Sequence, residues 1–270
     1  MKQSSKGGRC MIRVMTSNIW GDYFGNEVQV REDQLFEVYS KYAPDVLGMQ
    51  EVTPSWHAST LMTNMKNAGY LLLDDAPAGV GNYNAMLVKG SRFSVRKSGF
   101  EQMTHTEDGS KNIQWAVLID KQTEQKIAVC NAHFEYRQGP QYDEAREFNA
   151  EQIAWRMRYL KEHYGCVAAF AFGDMNTNTE SSVFPVFARR GILQLVDQAP
   201  ARPACSTYHG YPVRGEDGRY HGKSSNAPFQ YSLDHIVGMG EYRVLSYETV
   251  SEQPVLDATD HLPVFADLEI

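Results

Sequence analysis

The run Ala168-Ala169-Phe170-Ala171-Phe172 is apolar at every position, and Val46-Leu47-Gly48-Met49 is built the same way. Side chains of a strand alternate between two faces. A strand with no polar position is therefore covered on both sides. A fold that contains such strands must lay further elements over each face of its sheet, and this requirement excludes an open sheet with one solvated side.

The same reading finds nine short strands, rich in Val, Ile, Leu, Met and aromatics and bounded by Gly, Asn, Asp or Pro. They are Met11–Ser17, Asp45–Gln50, Tyr70–Leu73, Tyr83–Val88, Ile113–Ile119, Ile127–Ala132, Cys166–Phe172, Tyr231–Val237 and Pro263–Ile270. Helices are predicted at Val28–Tyr42, Pro54–Asn67, Tyr142–His163 and Ser181–Arg190. Pro54 after Thr53 marks a capped start. In Tyr142–His163, Ala145, Phe148, Gln152, Ile153, Trp155 and Tyr159 fall near helical spacing and are predicted to form the buried stripe. Many strands and few helices imply sheet packed on sheet with helices outside. No linker or repeat divides the chain, so one domain is expected over residues 11–270, after a polar tail at 1–10.

Composition narrows the partners. The net charge is −7, which argues against non-specific binding of a polyanion, since that needs a broad Lys/Arg field. Nucleic acid is left open but not favoured. Four cysteines with no C-x-x-C pair argue against a disulfide scaffold or a zinc cluster. Cys130 and Cys166 read as buried thiols, and a reducing, cytoplasmic setting is the simplest expectation. The polar start does not read as a signal peptide. The longest apolar run, Cys166 to Phe172, has seven residues, far short of the ~20 of a membrane helix. Oligomeric state is not indicated.

Polar residues follow the apolar strands at several ends: Asn18, Glu51, His133, and Asp174 with Asn176. Asp260-His261 instead precedes a strand and reaches the same rim if that strand runs antiparallel. With Asp234 these residues form a carboxylate, amide and imidazole set at the rim of a rigid scaffold, where sites are commonly placed. Oxygen ligands suit a hard cation, Mg²⁺ or Mn²⁺. The absence of paired histidines at i, i+4 and of thiolates argues against zinc. Taken singly, each residue reads more readily as a turn former, cap or loop residue than as a site residue; their joint order carries the functional reading. Ala201–Pro228, 28 residues without periodicity and with a local charge of +2, is long enough to suggest a functional loop or a surface insertion.

Six segments in order resemble the motifs of the endonuclease/exonuclease/phosphatase superfamily: Ser17-Asn18-Ile19-Trp20, Met49-Gln50-Glu51-Val52, Asn131-Ala132-His133-Phe134, Gly173-Asp174-Met175-Asn176, Leu233-Asp234-His235-Ile236 and Thr259-Asp260-His261-Leu262-Pro263-Val264. The resemblance implies an α+β fold, a four-layer α/β sandwich of two mainly antiparallel sheets packed face to face and flanked by helices. It implies metal-dependent hydrolysis of a phosphate ester by in-line attack of water, on a phosphorylated small molecule or a phosphodiester, with a DNA or RNA nuclease as the alternative. It assigns His133, Asp174, Asn176, Asp234 and His261 to catalysis, and Asn18, Glu51 and Asp260 to the metal, Mg²⁺ or Mn²⁺. An uncharacterised bacterial branch is resembled through Gly81-Asn82-Tyr83-Asn84, Ala145-Arg146-Glu147 and Thr207-Tyr208-His209-Gly210. With Tyr136 beside the histidine motif, these segments imply substrate contacts from Asn84, Tyr136, Arg146 and His209. Ala132 and Glu135-Tyr136 depart from the usual Thr and Asp-His around His133, which bears on specificity.

Overall fold

A computed structural model describes residues 11–270. The predicted tail and Cys10 lie outside the described residues. Along the chain run β1 (Met11–Asn18), α1 (Glu32–Tyr42), β2 (Val46–Gln50), α2 (Pro54–His57), α3 (Thr60–Asn67), β3 (Tyr70–Leu73), β4 (Met86–Lys89), β5 (Phe93–Gln102), β6 (Asn112–Asp120) and β7 (Lys126–His133). Then follow α4 (Pro140–Tyr164), β8 (Ala168–Asp174), α5 (Val183–Arg189), β9 (Leu193–Gln194), β10 (Val213–Arg214), β11 (Tyr220–His221), β12 (Asp234–Gly240), β13 (Arg243–Thr249), α6 (Gln253–Ala258) and β14 (Val264–Glu269).

Two six-stranded sheets result, ordered β13-β14-β1-β2-β4-β3 and β5-β6-β7-β8-β12-β9. Most pairs are antiparallel; β1–β2 and β7–β8 are parallel. The apolar runs explain the layering. Val14, Val46, Phe170, Phe172 and Ile236 meet between the sheets. Their neighbours in sequence point outward: Met15 and Leu47 pack under α1 and α3, and Ala169 and Ala171 pack under α4 and α5. The sheets approach so closely at Gly48 that a Cβ there would stand 2.3 Å from Phe172. Asn131 fastens the same point, with its Nδ2 donating to Met49 O at 2.8 Å and Asn84 O at 2.8 Å.

Several sequence expectations need correction. The helix predicted over Pro54–Asn67 is two helices, broken at Ser59, whose hydroxyl accepts the Met62 N–H and starts the second. α4 buries Arg146, Asn149, Ala150, Ile153, Ala154, Met157 and Leu160. The predicted stripe was therefore out of phase except at Ile153. Phe148, Trp155 and Tyr159 are 42%, 58% and 38% exposed, and they stack on His105, on each other and on His163 instead. Small alanines on the buried face let α4 lie close on its sheet. β5, β13 and α6 were not anticipated. Both strands are sheet edges, where one-sided pairing leaves positions solvated and removes the apolar signature. Residues 201–228 are not structureless: they hold the β10–β11 hairpin and two isolated bridges, Cys205 to Pro228 and Tyr208 to His261. Among the described residues, Cys130, Cys166 and Cys205 are free thiols. No helix there is long and apolar enough to cross a membrane.

Candidate active site

Sheet register brings the polar strand ends together. His133 pairs with Asp174 across the parallel β7–β8 ladder, and Asp174 pairs with Asp234 across the antiparallel β8–β12 ladder. Three motif residues thus form one row at the lip of one sheet. β1 and β2 carry Asn18 and Glu51 to the matching lip of the other sheet, and the segment before β14 brings Asp260 and His261 between them. Glu51, His133, Asp174, Asn176, Asp260 and His261 all line one cavity of about 890 Å³.

The contacts are specific. Asn18 Nδ2 donates to Glu51 Oε1 at 3.1 Å and to Asp174 Oδ2 at 3.0 Å, bridging the two sheets, while its Oδ1 accepts the Trp20 N–H. Glu51 Oε2 accepts the Gly21 N–H at 2.8 Å. Asp174 Oδ1 accepts the Asn176 N–H at 2.9 Å, and Asn176 Nδ2 donates to Phe134 O. His261 Nδ1 lies 2.8 Å from Asp234 Oδ2, and its Nε2 lies 3.8 Å from Asp174 Oδ2. Trp20, Glu51 and Asn176 all have positive φ, at 55°, 63° and 50°. Left-handed backbone at non-glycine residues costs energy and persists where the surroundings over-determine it; here three such residues gather at one cavity.

Burial governs the charges. It raises the Asp174 carboxyl, and nearby Asp234 adds to the effect against His261 and Asn18. It also pushes Asp260 up to about 7, reinforced by Glu51 and Asp174. Burial alone would discharge His261, but Asp234, Asp174 and Asp260 overcome it, so the imidazole is held well above its ordinary value. His133 goes the other way: burial, Lys111 and His261 all favour its neutral form.

Lys111 was not anticipated from sequence. It is buried and donates from Nζ to His133 Nε2 at 2.8 Å. Burial lowers its ammonium, against the pull of Asp108, Glu51, Asp174 and Glu135. A lone Lys in Gly-Ser-Lys-Asn carries no sequence signal; only the register of β6 beside β7 sets it against His133. Among the described residues it is the one Lys or Arg in the cavity lining.

Of the four residues expected to contact substrate, Tyr136 lines the cavity, half-exposed, with Lys111 Nζ 5.3 Å from its ring centre. Asn84 and Arg146 do not line it. Asn84 is buried and donates to Asn112 O and Ser110 O, and Arg146 is buried and donates to Glu135 O and Arg137 O. Both serve the frame. His209 also lies outside the lining, and its N–H donates to Asp260 O at 3.1 Å. The contribution of the 201–228 segment is aromatic rather than basic: Tyr208 and Tyr211 line the cavity, while Arg214 pairs with Glu27. The segment also braces the site. Thr207 Oγ1 accepts the N–H groups of Leu233 and Asp234 at 3.0 and 3.1 Å, and Thr207 O accepts that of Leu262 at 2.6 Å.

Asp174, Asp234 and His261 offer ligand atoms within 4.8 Å of one another, close enough for a cation. Yet His261 Nδ1 is hydrogen-bonded to Asp234 Oδ2 at 2.8 Å, and a cationic imidazole has no lone pair to give. Glu51 and Asp260 fit a hard cation better: both carboxyls face the cavity, and Asp260 Oδ1 is buried without a hydrogen-bond partner.

The model of the Endonuclease/Exonuclease/phosphatase family matches residues 15–261, and the chain belongs to that family. It is 30% identical over 155 residues to exodeoxyribonuclease III of Haemophilus influenzae, a match covering 56% of this chain and about half, 54%, of that protein. Among solved structures, a Bacteroides vulgatus endonuclease/exonuclease/phosphatase is similar at TM-score 0.74 and 22% identity, covering 97% of this chain and all of that one, 100%. The Bacteroides thetaiotaomicron mannosyl-6-phosphatase is similar at TM-score 0.69 and 16% identity over 95% and 99% of the two chains. D. rerio TDP2 complexed with single strand DNA product is similar at 0.70 and 15% over 96% and 99%. At these identities the structures share the fold, which is the four-layer sandwich.

Proposed function

We propose that the chain is a metal-dependent hydrolase of phosphate esters acting by in-line attack of water on a small or flexible substrate. The observation that carries the reading is the meeting of the Asp174 carboxyl and the His261 imidazole, 3.8 Å apart with His261 held on Asp234 at 2.8 Å, beside the Glu51 and Asp260 carboxyls that line the same cavity. Family membership and the names of the relatives support the same chemistry.

Glu51 and Asp260 would hold Mg²⁺ or Mn²⁺, and the bound cation would neutralise charge on the phosphate and the leaving oxygen. Asn18, expected as a ligand, is better read as the bridge that fixes Glu51 relative to Asp174. Asp174, oriented by Asn18 and Asn176, takes a proton from the attacking water as its oxygen bonds to phosphorus and the opposite ester P–O bond breaks. His261 points Nε2–H at a non-bridging oxygen, where donors placed for developing charge lower the barrier. The free N–H of the Asn176 amide and the Lys111 ammonium serve the other oxygens. His133, assigned to catalysis by the resemblance, accepts from Lys111 and aims it.

The test is hydrolysis of generic monoesters and diesters by the full chain with Mg²⁺ or Mn²⁺, with and without chelator. Activity should vanish with chelator. Glu51→Gln should demand more metal, and Asp174→Asn should lower turnover by ~10²–10⁴ at unchanged metal requirement. Near-wild-type rates for Glu51→Gln at low metal would show the site to be misassigned. The alternative, a nuclease, is favoured by the exodeoxyribonuclease relative, and DNA and RNA belong in the same panel.

A further inference from the structure

The floor of the cavity is ionic, whereas its mouth is aromatic. Tyr208 lies edge-on to His261 with ring centres 5.2 Å apart, and edge-on to Tyr211 at 6.4 Å. Tyr211 lies against Trp20 at 5.7 Å. A continuous wall of rings therefore leads from His261 out to solvent. Facing outward at the same mouth are Phe24, Tyr211, Tyr23 and Tyr136, which are 80%, 59%, 52% and 50% exposed. Large apolar faces left bare in one place mark a binding surface rather than ordinary scatter.

The wall is built to hold its position. Trp20 sits in left-handed backbone. Its carbonyl accepts from Trp56 Nε1 at 3.2 Å, and the guanidinium of Arg31 lies 4.7 Å from its ring centre. Arg31 is itself fully buried and donates to the carbonyls of Ile19, Asn26, Glu27 and Ala258. Trp20 Nε1–H is buried without a partner, a donor that nothing in the fold consumes. Against this wall the described lining residues set Glu51, Asp108, Asp174 and Asp260 and, as the single ammonium among them, Lys111. Such a cavity suits one phosphate and repels several.

We propose that the Trp20–Tyr208–Tyr211 wall is the recognition subsite for the alcohol half of the ester, and that the site takes small esters with one phosphate and an aromatic or heteroaromatic ring. The proposal rests on the hydrolase reading above and adds the substrate class. The phosphate sits on Lys111 and His261, and the ring lies flat on Tyr211 with Tyr208 against its edge. A pyranose face shares the ability to stack on these rings, so the test separates the two.

The experiment measures dissociation constants of benzylphosphonate and butylphosphonate, which share the anion and cannot be hydrolysed, by calorimetry on the full chain with Mg²⁺. Benzylphosphonate should bind about tenfold tighter, within the range of one ring stacked on an aromatic side chain. Tyr211→Ala should collapse that ratio toward one, and Tyr211→Phe should keep it. Equal affinities, or a ratio indifferent to Tyr211→Ala, would overturn the subsite. A hexose 6-phosphate that binds more tightly than benzylphosphonate would overturn the aromatic preference in favour of a sugar. A short single-stranded DNA that binds more tightly with steep salt dependence would overturn the one-phosphate class. Hydrolysis of benzyl phosphate and benzyl methyl phosphate is followed in parallel. No turnover of either, with the binding ratio intact, refutes the hydrolase reading and not the subsite.

Discussion

Asp174 and Asp234 face each other as antiparallel partners on β8 and β12, and His261 sits against both, 2.8 Å from Asp234 and 3.8 Å from Asp174. Two buried carboxylates side by side repel; one imidazolium between them removes the conflict. Asp234 is fully buried and accepts a hydrogen bond from the His261 Nδ1–H, so the imidazolium keeps its charge and its other ring nitrogen is left as a donor toward the cavity. Asp234→Asn keeps the shape and removes the charge that sustains the imidazolium. Turnover should drop by ~10²–10⁴, and the double variant with His261→Gln should be little worse than either single one, because the two act as a unit. Fully additive losses in steady-state kinetics would separate their roles.

Lys111 and His133 form the second polar pair. The ammonium donates to a neutral imidazole, which orients it without cancelling its charge. Hydrogen bonds to charged groups contribute roughly 1.5–3 kcal/mol, so Lys111→Met should weaken inhibition by inorganic phosphate by about 10- to 100-fold. Lys111→Arg keeps the charge but cannot fit the same buried slot, so rescue should be incomplete. Phosphate inhibition that is unchanged in Lys111→Met would remove the residue from the anion site.

Thr207 joins the 201–228 segment to the catalytic row. Its hydroxyl accepts two adjacent backbone donors, those of Leu233 and Asp234. Thr207→Val preserves volume and strands both donors, each at a cost of about 1–3 kcal/mol. We expect a lower melting temperature together with a fall in turnover on every substrate, benzyl and butyl esters alike, because Asp234 moves with the strand end. A loss confined to KM would mean that the segment contacts substrate and does not brace the site.

Much of this was legible in the sequence because burial on both faces of a strand writes itself as an unbroken apolar run, as in Ala168–Phe172, and because each run ends at the lip where polar groups must stand. Asn18, Glu51, His133, Asp174 and Asn176 could be found that way. Asp234 and His261 follow a different logic, since one begins a strand and the other precedes one; the family pattern supplied them. Lys111 was invisible, and of the aromatic mouth only Tyr136 was expected to contact substrate. Lys111 depends on a cross-strand register, and Trp20, Tyr23, Phe24, Tyr208 and Tyr211 come from two loops that are distant in sequence. Asn84 and Arg146 came from the resemblance alone, and a motif match does not show that a buried amide or guanidinium is bonded to backbone carbonyls away from the cavity lining.

The helix α4 gives the sharpest test of the packing. Its aromatic residues suggested one face, and its buried residues occupy another, with only Ile153 common to both. Ile153 is 1% exposed beneath Met157 and Ala150 in the layer against β7 and β8, so Ile153→Ala should cost about 2–4 kcal/mol through lost burial and an unfilled cavity. Trp155, two residues on, is 58% exposed and touches Tyr159 and Arg156. Trp155→Ser removes far more surface, yet that surface is already in water, so the cost should stay below ~1 kcal/mol. Chemical denaturation of the two variants compares them directly. If Trp155→Ser proved the more damaging, the helix would have to lie about half a turn from the orientation described.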